Sequence, residues 1–281
     1  MFWRVTMEQT RFLLRRKGAL LTFYILLALV LSNFIQNVLT FAGRDVVDMY
    51  QPMKLLLISY NLGYFRPEMV LFFIQIFPIL AVCPAGFALA REYQLGEHVL
   101  IEARLGRRAY RMSKLAASFV VTFLVFTLPF LLEIILNCIS FPLAAEGDLA
   151  NLCFYDEAYR QAVDNYLVSG LFWQSPYLYA VLGTLVMGLA VGVLGVFTVA
   201  ISALVKIRYN VFLFLPVFLL LRGSALLISY WEDMTVSVRW YDYLMLFNEK
   251  PKYGWFLPVM LLAITLFSVG SVYYSTRKDC L

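Results

Sequence analysis

A chain of 281 residues that is 62% hydrophobic and 15% charged, with a mean hydropathy of +0.77, falls outside the composition of soluble domains, which average about 45–50% apolar and about 25% charged. Several runs reach the ~20 apolar residues that span a bilayer as a helix, so composition and pattern together indicate an integral membrane protein. The formal charge of +5 is dispersed between those runs and is not read as a nucleic-acid footprint.

Residues 1–17 place Arg4, Glu8, Arg11 and Arg15 on one narrow stripe of a helix, with Phe2, Trp3, Val5, Met7, Phe12, Leu13 and Leu14 around the rest. This predicts an amphipathic helix on the cytoplasmic leaflet, its aromatic rings at the acyl boundary and its arginines toward anionic headgroups. The following apolar run is too long for a signal peptide and no small-residue cleavage site follows it, so the segment reads as mature sequence.

The first span is expected over about 18–40. The outer loop after it contains an apolar portion, Met53 to Leu62, expected to lie on the outer surface. A second span over about 68–90 holds Pro78 and Pro84, which predict one kinked helix. Residues 91–112, continued by Lys114, are the densest charged stretch: Arg91, Arg104, Arg107, Arg108 and Arg111 with Glu92, Glu97 and Glu102. Glu92 to Leu105 is predicted helical, with Gly96 its weak point. A third span over about 113–137 leads to an acidic outer loop, 138–175, where five acids face Arg160 alone. The fourth span, about 176–205, carries Gly188 and Gly192 at a small-xxx-small packing spacing. A short inner turn with Lys206 and Arg208 leads to a fifth span over about 209–230. An aromatic outer segment follows at 231–254, and a sixth span over about 255–276 ends at Arg277 and Lys278.

On this arrangement fifteen Lys and Arg fall inside and seven outside, while twelve acids fall outside and five inside. The positive-inside rule then gives an all-α polytopic fold of six transmembrane helices with N- and C-termini cytoplasmic.

The chemistry-bearing residues are few. His98 is the single histidine, there is no CxxC pair, and no GxxxxGK[ST] motif would let this chain bind ATP through a P-loop. Glu133 and Arg222 are the two charges within expected spans; at similar depth they either pair with each other or both snorkel to the outer interface. Phe72, Phe73 and Phe77 either line a hydrophobic pathway or pack against lipid and protein. Cys138 and Cys153 both fall outside, as two free thiols or as a disulfide worth roughly 3 kcal/mol in a loop-entropy account.

The stretch from Pro78 and Pro84 through Glu92, Gly96 and Glu97 to Arg107, Arg108, Tyr110, Ser113 and Lys114 resembles the permease subunits of ABC-2 type transporters. Those proteins show a Glu, a Gly a few residues on, a basic turn and a Lys opening the next helix. The six spans, the amphipathic first helix and the outer segment after the fifth span fit the same layout, so the resemblance covers essentially the whole chain. The acidic loop 138–175 is longer than that of a minimal member and leaves the substrate open. The resemblance implies that 91–112 is a coupling segment seated on a separate ABC ATPase subunit. Glu92, Tyr93, Gly96, Glu97, His98, Leu105, Arg107 and Arg108 would form that interface. It further implies a non-catalytic subunit without its own cofactor, ATP and Mg being held by the partner ATPase. A second copy or a related permease would complete the pore, in contact with membrane lipids, in a bacterial cell membrane. The cargo implied is hydrophobic or amphiphilic: a peptide, a lipid-linked molecule or a drug. Competing expectations are an ATPase-independent secondary transporter or channel, a membrane enzyme, and a sensory or scaffold subunit whose outer loop binds a ligand.

Overall fold

The computed structural model describes residues 2–60, 67–205, 210–230, 237 and 239–278. These residues form helices joined by turns; among them there is no strand, only two isolated bridges. The expected inner turn at Lys206 and Arg208 and parts of the outer segments (61–66 and 231–236) lie outside the described residues, as does the side chain of Glu97.

In chain order the helices are α1 (Phe2–Leu14), α2 (Lys17–Phe41), α3 (Pro67–Val82), α4 (Ala88–Leu95), α5 (Glu97–Leu105) and α6 (Arg107–Ser140). Then come α7 (Glu157–Asp164), α8 (Ser169–Gln174), α9 (Pro176–Leu204), α10 (Phe214–Tyr230), α11 (Trp240–Leu244) and α12 (Phe256–Lys278). Helices α2, α6, α9 and α12 are long and apolar enough to cross a membrane, and α3 and α10 contribute shorter apolar helices. Their lengths and compositions suggest a membrane protein. Helix α9 is the most enclosed of the four, with 72% of its apolar window buried against 28% for α2 and α12, so the last two turn most of their surface outward.

The packing follows from small residues. A Cβ added to Gly188 of α9 would lie 2.1 Å from Thr127 Oγ1 of α6, and one on Gly192 would lie 2.8 Å from the Phe119 ring. The two backbones approach closely only because both positions lack a side chain. Helix α1 is docked rather than free: it packs on α6, burying Thr6 and Leu13, while Trp3, Met7 and Phe12 face outward.

Three expected elements change form. The second apolar run is two helices: α3 passes through Pro78 unbroken, but Pro84 sits in a turn from Cys83 to Phe87 that separates α3 from α4. Proline has no N–H for the helical ladder and its ring crowds the preceding turn, so the second proline ends what the first tolerates. Helix α6 starts at Arg107, not near residue 113, and carries the basic residues on its own first turns.

The third change is the apolar stretch after Pro52. Its first part does not lie on a surface: Met53, Leu55, Leu56, Leu57 and Ile58 are all 0–2% exposed. A 3-10 turn over Pro52–Leu55 inserts between α2 and α6, where side chains satisfy its backbone. Asn33 and Asn37 of α2 both donate to Leu55 O at 2.9 Å, and Asn137 of α6 donates to Pro52 O at 3.1 Å. Non-helical backbone is tolerated inside such a bundle only when its polar groups are met in this way. A cap of α7, α8 and α11 covers this end of the bundle. Lys54, buried, pairs with Asp148 and lies 4.8 Å from the Tyr159 ring.

Candidate functional site

The opposite end of α6 holds the charged stretch, and two glycines give it its shape. Helix α4 stops where Gly96 takes φ 71°, and α5 stops where Gly106 takes φ 79°. Both values belong to the left-handed region, which costs L-residues about 1–2 kcal/mol and glycine almost nothing. The predicted helix from Glu92 to Leu105 is therefore two short helices with a sharp corner at Gly96, and α5 hangs between two glycine joints.

Glu92 anchors this corner from within. It is 2% exposed, so it is not itself a contact surface, and this corrects its expected place at a partner interface. One carboxylate oxygen accepts from Arg16, just before α2, at 2.8 Å, and from Lys114 of α6. The other accepts from the Tyr110 hydroxyl. Arg16 also donates to Ala88 O at 3.3 Å. One carboxylate thus ties α2, α4 and α6 together, charge-assisted and fully coordinated.

A second knot fastens α5. Glu102 accepts from Arg107 Nε at 2.9 Å and Arg111 Nε at 3.0 Å, and Arg111 continues to Ser275 Oγ of α12 at 2.6 Å. Arg108 lies over the Tyr273 ring at 5.2 Å. His98 packs edge-on against Tyr93, with Nδ1 3.3 Å from Glu92 O. Ile101 and Leu105 pack into a small apolar core with Tyr110 and Val199, so the inner face of α5 is seated. Its outer face is not: Val99 is 59% and Leu100 72% exposed, next to Leu95 at 60%. Arg91 and Arg104 are exposed around them.

Of the residues expected at an interface, Tyr93, Gly96, His98, Leu105, Arg107 and Arg108 gather around this corner, with Glu92 beneath it; the side chain of Glu97 is outside the described residues. The expected list omits Arg16, Glu102, Tyr110, Arg111, Lys114 and Ser275, which hold it in place. Tyr110 and Lys114 stand four apart on one face of α6, the one local signal; Arg16, Glu102 and Ser275 have no spacing that groups them with it.

The other expected groups come apart. Glu133 and Arg222 do not pair. Glu133 is fully buried and its Oε1 accepts from Asn33 at 2.8 Å and from Leu57 N at 2.9 Å, whereas Arg222 is exposed on α10. Glu133 does not snorkel either, because the inserted 52–58 segment lies over it. Cys138 and Cys153 are free thiols. Phe73 and Phe77 are buried in ring contacts with Phe130, Phe126 and Trp240, while Phe72 is exposed on α3. Among the described residues no three His, Cys, Asp or Glu side chains converge as a metal-binding set. What the Glu92 end offers is mechanical: a projecting helix stiffly linked to α2, α6 and α12. No known protein family, curated protein or solved structure matches this chain.

Proposed function

We propose that the chain is the membrane-spanning permease subunit of an ATP-driven exporter of the ABC-2 type, worked through residues 91–112 by a separate ATPase subunit. The observation that carries this is the pairing of an exposed apolar tip on α5 with rigid internal ties. Val99 and Leu100 offer a partner a place to grip, and Glu92 and Glu102 pass any displacement to α2, α6 and α12. Coupling between sites needs such an element, biased at one end and felt at the other.

In this scheme α3 with α4, and α10, serve as the second and fifth crossings. The Glu92 end faces the cytoplasm, where the excess of Lys and Arg belongs. Both termini are then cytoplasmic, and a second permease copy completes the pathway. The cargo in this reading is hydrophobic or amphiphilic, as the resemblance to ABC-2 permeases implies.

A photo-crosslinking residue at Leu100, activated in native membranes, tests this. It should give an adduct with a subunit that binds ATP and carries a P-loop, and the same residue at Leu39, exposed on α2, should not. Lipid adducts alone at position 100, in membranes where the protein is folded, would refute the proposal.

A further inference from the structure

Around the inserted Pro52–Leu55 turn the hydrogen-bond account is one-sided. Glu133, Asn37 and Asn137 are each 0% exposed, and each ends in an oxygen that no donor among the described residues reaches: Glu133 Oε2, Asn37 Oδ1 and Asn137 Oδ1. Their other polar atoms are engaged on the same few residues. Asn37 Nδ2 holds Leu55 O, Asn137 Nδ2 holds Pro52 O, and Glu133 Oε1 takes Leu57 N and Asn33 Nδ2. Glu133 and Asn137 stand one turn apart on α6, so they present the same face. Gln51, beside Pro52 and 7% exposed, has both its amide oxygen and its amide nitrogen unpartnered.

Buried polar atoms in folded proteins nearly always have partners, and an unpaired carboxylate oxygen is the costliest kind to leave. No cation among the described residues compensates Glu133. Lys54, the segment's own cation, is committed to Asp148 and to the faces of Tyr159 and Phe172, and Arg222 is exposed on α10. We propose that Glu133, Asn37 and Asn137, with Gln51 Oε1, form a binding site for a monovalent alkali cation of sodium size.

The donor set sets that choice. Every ligand is oxygen, which suits hard cations and not thiol- or imidazole-seeking metals. A single carboxylate balances one positive charge, so a divalent ion would leave an excess charge in a buried place. A proton on Glu133 would satisfy one further acceptor and leave the others, whereas a cation can be shared by several oxygens at once. Bound there, the cation fixes the 52–57 turn between α2 and α6.

The test is thermal unfolding of the purified full chain in lipid nanodiscs, with sodium chloride replaced by choline chloride at constant ionic strength. Wild type should show a saturable rise in Tm with sodium, smaller or absent with potassium, and Glu133→Gln should be flat. Asn137→Ala should move the half-saturating sodium concentration upward several-fold. Should Glu133→Gln fail to fold, retention of radioactive sodium by wild type, competed by excess unlabelled sodium and not by choline, decides alone. Equal Tm in both salts with no retained sodium overturns the site. So does an infrared band of a protonated carboxyl that is unchanged by sodium. The permease assignment stands or falls separately, on the Leu100 crosslink.

Discussion

Replacing Glu92 by Gln tests the internal tie at the charged corner. The substitution keeps the shape and removes one negative charge from a place where the side chains of Glu92 and Lys114 are 3% and 2% exposed. Arg16 and Lys114 then remain, 18% and 2% exposed, without the carboxylate they share. Removing one partner from a buried ion pair costs about 3–5 kcal/mol, because the other charge is left uncompensated. At about 2–4 °C per kcal/mol for a chain of this order, Tm should fall by about 6–20 °C. Tyr110→Phe removes only a hydrogen bond to the same carboxylate and should cost about 1.5–3 kcal/mol. Adding Lys114→Met to Glu92→Gln removes one of the two cations that shared the carboxylate and should recover part of the loss. Tryptophan fluorescence of the purified protein during heating reads all three. If Glu92→Gln lies within 2 °C of wild type, or if Lys114→Met adds to the damage, the carboxylate is not what keeps these cations inside.

Further expectations follow from the same structure. Gly188→Val should destabilise by about 1–3 kcal/mol through overpacking against Thr127, read as a lower Tm, whereas Gly270→Ala, whose new Cβ meets nothing within 4 Å, should be neutral or slightly stabilising. Lys54→Met should cost about 3–5 kcal/mol by stranding buried Asp148, and the double variant with Asp148→Leu should return most of it, a difference a double-mutant cycle measures directly. Burial lowers the Lys252 ammonium to about 8 against an unfolded value of 10.5, with Asp242 opposing the shift. The unfolded chain therefore binds more protons between these values, so stability should rise with pH from about 8 to 10 and Lys252→Met should remove the rise in Tm. Cys153 is exposed, and an impermeant maleimide should label it in intact cells, while Leu100→Cys should label only after permeabilisation. The reverse pattern would invert the proposed topology.

The spanning helices were legible in the sequence because each is a long apolar run, and α2, α9 and α12 end within a residue or two of their expected limits. The insertion of residues 52–58 was not. It reads as a surface stretch until its partners are known, and those partners, Asn33, Asn37 and Asn137, look like isolated polar residues in apolar helices. Their i, i+4 spacing on α2, and that of Glu133 with Asn137 on α6, is the only local trace of a polar face. The charged corner was visible as a composition anomaly, but which of its charges point inward was not. Burial of Glu92 depends on Arg16, 76 positions away, and on the glycine corners that fold α5 back on α6. Pro78 and Pro84 look alike in the sequence, yet α3 runs through the first and ends before the second.

The gap between α3 and α4 has a mechanical sequel. A Cβ on Gly18, at the start of α2, would stand 2.5 Å from the Cys83 carbonyl, so α2 rests its foot on the turn that separates α3 from α4. In the proposed coupling, a displacement of α5 that swings α4 would reach α2 and α6 through Glu92 and need not travel up α3. On that proposal the ring contacts of Phe73 and Phe77 with Phe130, Phe126 and Trp240 would persist while α4 moves.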